Sequence, residues 1–156
     1  MNTSEIISFG NKSYEFVWIQ GEEAPKDNVS QVSGYVFNER KEMLIVKSKN
    51  WTIPGGHLEK GETYIETLKR EVDEEGCVEI GNIEYLGYVK VTDQDTKDIK
   101  YQLRYVAKVS KVNEFYKKFE ISERLFVNPK DLTKYIPWSS GKVFSQEVES
   151  AIASLV

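Results

Sequence analysis

Stretches rich in β-branched and aromatic residues alternate along the chain with polar turns, and two later stretches carry apolar residues at helical spacing. Residues 13–19 (S-Y-E-F-V-W-I) and 29–37 read as strands. Residues 38–41 (N-E-R-K) form a polar turn, and residues 42–48 return as a strand, so the two runs predict a hairpin. A second pair, residues 82–91 and 99–109, flanks the polar turn 92–98. In its second strand Tyr101, Leu103 and Tyr105 share one face and Gln102, Arg104 and Val106 the other. Arg104, mid-strand, is either solvated or lines a site, and solvation is the general habit of arginine.

The first helix is predicted over 63–75. Thr63 and Glu66 fit a capping box, Ile65, Leu68 and Val72 form one apolar stripe, and Gly76 suits the left-handed position that ends a helix. The second spans 141–155, with Val143, Phe144, Val148, Ala151, Ile152 and Leu155 at helical spacing and Ser140 as its cap. Residues 21–30 read as a loop between an N-terminal strand and the main sheet. Many strands with two helices imply an α/β sheet covered on its faces by helices, and the 156 residues suit a single domain, 1–156.

Composition narrows the chemistry. A single cysteine, Cys77, excludes an internal disulfide and a multi-cysteine zinc site, and a single histidine, His57, excludes a multi-histidine metal site. The polar N-terminus and the absence of a long apolar run predict neither signal peptide nor membrane span, and with the lone cysteine they point to the cytoplasm. The net charge of −4 argues against a dedicated nucleic-acid binder. That charge is local: residues 62–75 hold six acidic side chains against Lys69 and Arg70, and the rest of the chain balances.

Within this segment Glu71 and Glu75 stack at i, i+4 on the shoulder of the apolar stripe, and Glu74 lies further round. Like charges at that spacing cost a helix roughly 0.2–0.5 kcal/mol per pair, and late glutamates oppose the helix dipole. A cation relieves both penalties, and carboxylate oxygens suit Mg²⁺ or Mn²⁺. A solvated acidic face is the plainer alternative. Just upstream, residues 51–57 (W-T-I-P-G-G-H) end a strand in a glycine-rich loop able to approach a ligand closely.

Gly56, five residues, Glu62, seven residues, then R-E-V-D-E-E-G-C-V over 70–78 resembles the Nudix box, G-x5-E-x7-R-E-U-x-E-E-x-G-U, with U a bulky aliphatic. The departure is Cys77 where the box has glycine, with Gly76 one residue earlier, which reads as a helix ending one residue sooner. Residues 51–56 look like the W-x-x-P-G-G lead-in of that family. Residues 123–127 (E-R-L-F-V), with Asp131 and Leu132, look like its late strand and acidic turn. The likeness runs from Val29 onward; residues 1–28, an N-terminal strand and loop, lack a familiar counterpart.

The resemblance implies a MutT-like Nudix hydrolase: an α/β/α sandwich with a mixed sheet that hydrolyses diphosphates using Mg²⁺ or Mn²⁺. It implies Glu71 and Glu75 as metal ligands, Glu74 as a third ligand or the holder of an attacking water, and the Gly56 carbonyl as a further ligand. Arg70 would fix a carboxylate rotamer, Glu62 would support the loop or bind another metal, and Gly55 and His57 would border the phosphates, though His57 also reads as a plain exposed loop residue. The general base varies in this family; Glu74 ranks first, then Glu123 and Glu120. Trp138 could stack on a base or pack in the core, Phe126 belongs to the core, and Cys77 reads as a small buried filler. The signatures of coenzyme A and NADH subgroups are absent, and no proline lies between Pro54 and Pro129 where ADP-ribose members tend to carry one. The expected substrate is therefore a nucleoside triphosphate or related nucleotide. ADP-ribose, a nucleotide sugar and a nucleotide sensor without turnover are the alternatives, and a homodimer is left open.

Overall fold

The computed structural model describes residues 2–117 and 120–155. Its frame is a mixed sheet built from β1 (Thr3–Phe9), β2 (Lys12–Gln20), β3 (Val29–Phe37), β4 (Met43–Lys47), β5 (Trp51–Thr52), β6 (Gly55–Gly56), β7 (Val78–Asp93), β8 (Ile99–Val112) and β9 (Glu123–Val127). The strand order is β1-β2-β7-β8-β3-β4-β5, with β6 on β3 and β9 on β4. The β3–β8 pair is parallel and the other pairs are antiparallel. The helices are α1 (Tyr64–Gly76), the short α2 (Leu132–Tyr135) and α3 (Lys142–Ala153).

Strand β4 shows why the sheet is covered twice. Met43, Leu44, Ile45 and Val46 are all fully buried. Alternate residues of a strand face opposite sides, so both faces must be roofed. Met43 and Ile45 join Tyr35, Phe37 and Val106 beneath Val143, Phe144, Val148 and Ala151 of α3. Leu44 and Val46 join Val32, Val36 and Leu103 beneath Leu68 and Val72 of α1. This is the α/β/α sandwich expected from the sequence.

Several local expectations are corrected. The polar N-terminus forms β1, joined to β2 through a turn at Gly10 with φ 63°. Strand β7 starts at Val78 and passes Gly81 and Asn82 through a bulge, which hid its first turn from a periodicity reading. Ile65 is 42% exposed, because α1 rolls Thr67 into the core, where its hydroxyl donates to the Thr63 carbonyl and to Glu62. Ile152 is likewise exposed on α3.

The ends of both long helices also differ from the sequence reading. Helix α1 has the predicted capping box at Thr63 and Glu66 but runs through Gly76, and Cys77 itself takes the left-handed conformation (φ 54°, ψ 42°). The helix does not end early; Cys77 occupies the position where the box has glycine. Arg124 of β9 donates to the carbonyls of Gly76 and Cys77, at 2.7 and 3.2 Å, placing a cation at this C-terminus. Ser140 does not cap α3. Gly141 holds that position, and the Glu5 carboxylate of β1 accepts from the Lys142 and Val143 amides.

Candidate active site

The glycine loop is fastened to the sheet before it meets α1. Gly34 N–H donates to the Pro54 carbonyl, and Gly55 and Gly56 pair with Ser33 and Val32 of β3. A Cβ at Gly55 would overlap Ser33, and one at Gly56 would overlap the Glu71 carboxyl group. Absence of side chains therefore lets the loop lie directly against α1. The His57 ring bonds through Nδ1 to the Ser30 carbonyl, anchoring the loop to the bulge in β3.

Arg70 organises the carboxylates. Its Nε donates to Glu62 at 2.7 Å and Nη2 to the other Glu62 oxygen at 3.0 Å, while Nη1 donates to Glu71 at 2.8 Å and to Glu74 at 3.2 Å. Nη2 also donates to the His57 carbonyl, so one guanidinium joins loop and helix. Glu62 further accepts from the Glu59 amide and the Thr67 hydroxyl. Hydrogen bonds from Arg70, then from Glu59, hold its carboxyl down at about 2.

Glu75 has different surroundings. It accepts from Gly55 N–H at 2.8 Å and has no arginine partner among the described residues. Burial pushes its carboxyl up to about 7, against the Gly55 hydrogen bond, and the charges of Glu71 and Glu74 push the same way. Burial also raises Glu71, with Arg70 opposing.

Among the described residues no three histidine, cysteine, aspartate or glutamate side chains converge into a closed metal cage, because Arg70 holds Glu71 and Glu74 while Glu75 turns to Gly55. The donor set nonetheless fits a hard divalent cation: adjacent carboxylates, one of them half-buried with no lysine or arginine partner among the described residues, beside a backbone loop.

The structure thus brings together Gly55, Gly56, Glu62, Arg70, Glu71, Glu74 and Glu75, with His57 at the edge. Glu123 stands apart, 56% exposed and paired with Lys47 at 3.4 Å. Its neighbour Arg124 reaches the end of α1, so strand alternation sends Glu123 to the opposite face. Glu120 lines an open groove of about 730 Å³ with Ser48, Asn50, Trp51, Thr52 and Trp138. Trp138 is half exposed and meets Phe144 edge-on at 4.8 Å, so it combines packing with a free surface.

Arg104 is the clearest departure from expectation. It is buried rather than solvated, its Nε donating to Glu147 of α3 at 2.7 Å, and the Tyr35 hydroxyl donates to the same oxygen at 2.7 Å. The readable signal was a charge inside the apolar pattern of α3: Glu147 stands four residues from both Val143 and Ala151.

The NUDIX domain family model matches residues 27–146. The chain belongs to the Nudix family, a family of diphosphate hydrolases that use divalent metal ions. Similar solved structures include the Bacillus subtilis pyrophosphohydrolase BsRppH, at a TM-score of 0.76 and 18% identity over 96% of this chain and 97% of that one. A Nitrosomonas europaea NUDIX hydrolase has a TM-score of 0.68 at 20% identity, covering 83% and 90% of the two chains. The NUDIX domain of Shewanella oneidensis NrtR, solved with ADP ribose, has a TM-score of 0.62 at 20% identity, covering 87% and 95%. A search of curated proteins finds no significant match.

Proposed function

We propose that this chain hydrolyses the phosphoanhydride of a nucleoside triphosphate or related nucleotide, with Mg²⁺ or Mn²⁺. The observation that carries the reading is the Arg70-ordered carboxylate ladder closing on a glycine loop, with Glu75 half-buried and without a lysine or arginine partner among the described residues. Glu71, Glu75 and the Gly56 carbonyl would hold the metal, with Glu74 at the attacking water. Bound there, a divalent cation supplies the positive charge that neutralises the diphosphate. Gly55 and His57 border the phosphates, and Glu62 fixes Arg70.

Glu74 accepts a proton from a water that attacks phosphorus in line; a P–O bond forms, the bond to the bridging oxygen breaks, and the leaving phosphate takes the electron pair. Its place within the carboxylate cluster, from which Glu123 stands apart, supports Glu74 over Glu123 and Glu120 as this base. Among the described residues no helix is long and apolar enough to cross a membrane.

The test is a panel of nucleoside triphosphates, dinucleotides and ADP-ribose with Mg²⁺ and Mn²⁺, with products resolved to show which phosphorus is attacked. Preferential turnover of nucleoside triphosphates supports the reading. Tight binding without product would replace it with a nucleotide-binding module.

A further inference from the structure

A polar block on the α3 face of the sheet takes no part in the carboxylate cluster, yet it adjoins the same glycine loop. Strand register sets Gln31 beside Gln102 and Ser33 beside Arg104, with Gly55 on the other side of Ser33. Residues i and i+2 share a face, so all four side chains leave one side of the sheet. Two strand spacings, roughly 10 Å, separate Gly55 from Arg104, a span a nucleoside can bridge from a diphosphate held at the loop.

The Arg104–Glu147 pair is buried at a desolvation cost that well-packed apolar side chains would avoid. Its geometry orients the two glutamines. A guanidinium only donates, so an amide beside it must present its oxygen. Arg104 Nη2 donates to Gln102 Oε1 at 2.9 Å. Ser33 Oγ donates to Gln31 Oε1 at 2.7 Å, and Arg104 Nη1 reaches the same oxygen at 3.5 Å. Both amide NH₂ groups are therefore turned away from the pair, on side chains that are only half-buried. Glu147 neutralises Arg104, so the block offers donors without net charge.

We propose that Gln31 and Gln102 form a specificity platform that reads the acceptor edge of a nucleobase, favouring guanine and uracil, which carry a carbonyl at the purine 6- or pyrimidine 4-position, over adenine and cytosine, which carry an amino group there. The proposal rests on the nucleotide reading above. Neutral amides suit neutral carbonyl and ring-nitrogen acceptors, whereas phosphate oxygens are better met by arginine or lysine.

Two measurements test it. Gln102→Glu keeps an oxygen for Arg104 and replaces the free donor by an acceptor. The ratios of kcat/KM for GTP over ATP and UTP over CTP, with Mg²⁺, are expected to fall by at least about tenfold, through KM rather than kcat; unchanged ratios would overturn the platform. In the wild-type chain the side-chain NH₂ resonances of Gln31 and Gln102 are expected to shift with GMP or UMP and not with inorganic tripolyphosphate. Equal shifts with tripolyphosphate, or none with any of these, would overturn it. This readout needs no turnover: shifts with GMP in a chain that hydrolyses no nucleotide support the platform while refuting hydrolysis.

Discussion

Arg70 and Glu62 meet as a two-pronged pair, Nε to one carboxylate oxygen at 2.7 Å and Nη2 to the other at 3.0 Å. The planar fork fixes the guanidinium, which leaves Nη1 to steer Glu71 and Glu74. Lysine carries the charge but cannot make this set of bonds. Arg70→Lys is therefore expected to lower turnover by about tenfold to a hundredfold, the scale for residues that orient metal-binding carboxylates. Steady-state kinetics at saturating Mg²⁺ checks it.

Glu62 also sets an acid limit. Its carboxyl is held at about 2 by Arg70 and the Glu59 amide, below the ordinary 4.5. The stability it contributes is present above the unfolded value and is lost as pH falls from about 4.5 towards 2. Denaturant midpoints across that window should fall less steeply in Glu62→Gln than in the wild type.

Glu75 acts with the opposite sign. Its carboxyl is raised from 4.5 to about 7, chiefly by burial. The contribution is full below the unfolded value and is lost as pH rises through about 7, so the metal-free protein should be less stable at about pH 8 than at about pH 5. Glu75→Gln should flatten that decline, and Mg²⁺ added at about pH 8 should raise the wild-type midpoint by binding the folded state. Thermal unfolding with and without chelator checks both.

Gly56 separates activity from folding. An added methyl would collide with the Glu71 carboxyl group, the far end of a flexible side chain that can swing away. Gly56→Ala is expected to keep the wild-type thermal midpoint within a few degrees while losing most of its turnover.

Cys77 carries backbone strain, since its φ of 54° is rarely adopted by residues other than glycine, asparagine or aspartate. A β-branched side chain fits that conformation worst. Cys77→Val is expected to destabilise by about 2 kcal/mol, and Cys77→Gly by less, because relief of strain offsets the lost packing of the thiol. Equilibrium unfolding of the two variants gives the comparison.

The carboxylate cluster was legible because its members lie within one helix and the loop before it, where spacing alone fixes their relative positions. The buried run Met43–Val46 and the capping box at Thr63 were local in the same sense. The missed features join residues far apart in the chain. Glu5 caps a helix 137 residues away, and Arg104 meets Glu147 across 43 residues. Solvation suits a lone arginine on a strand, and only the packing of α3 onto β8 supplies the partner that makes burial possible. Strand β1 was hidden because none of its residues is buried and its apolar Ile6 and Phe9 stand 63% and 60% exposed.

Glu75 stands at the centre of the proposed metal-dependent hydrolytic site. Its most direct test is the rate of nucleoside triphosphate hydrolysis with Mg²⁺ by the wild-type chain and by Glu75→Gln, which replaces the carboxylate while keeping its shape and its bond to Gly55. The wild type is expected to turn over, with a loss of more than about a hundredfold in a variant that remains folded. Wild-type turnover by Glu75→Gln would contradict it.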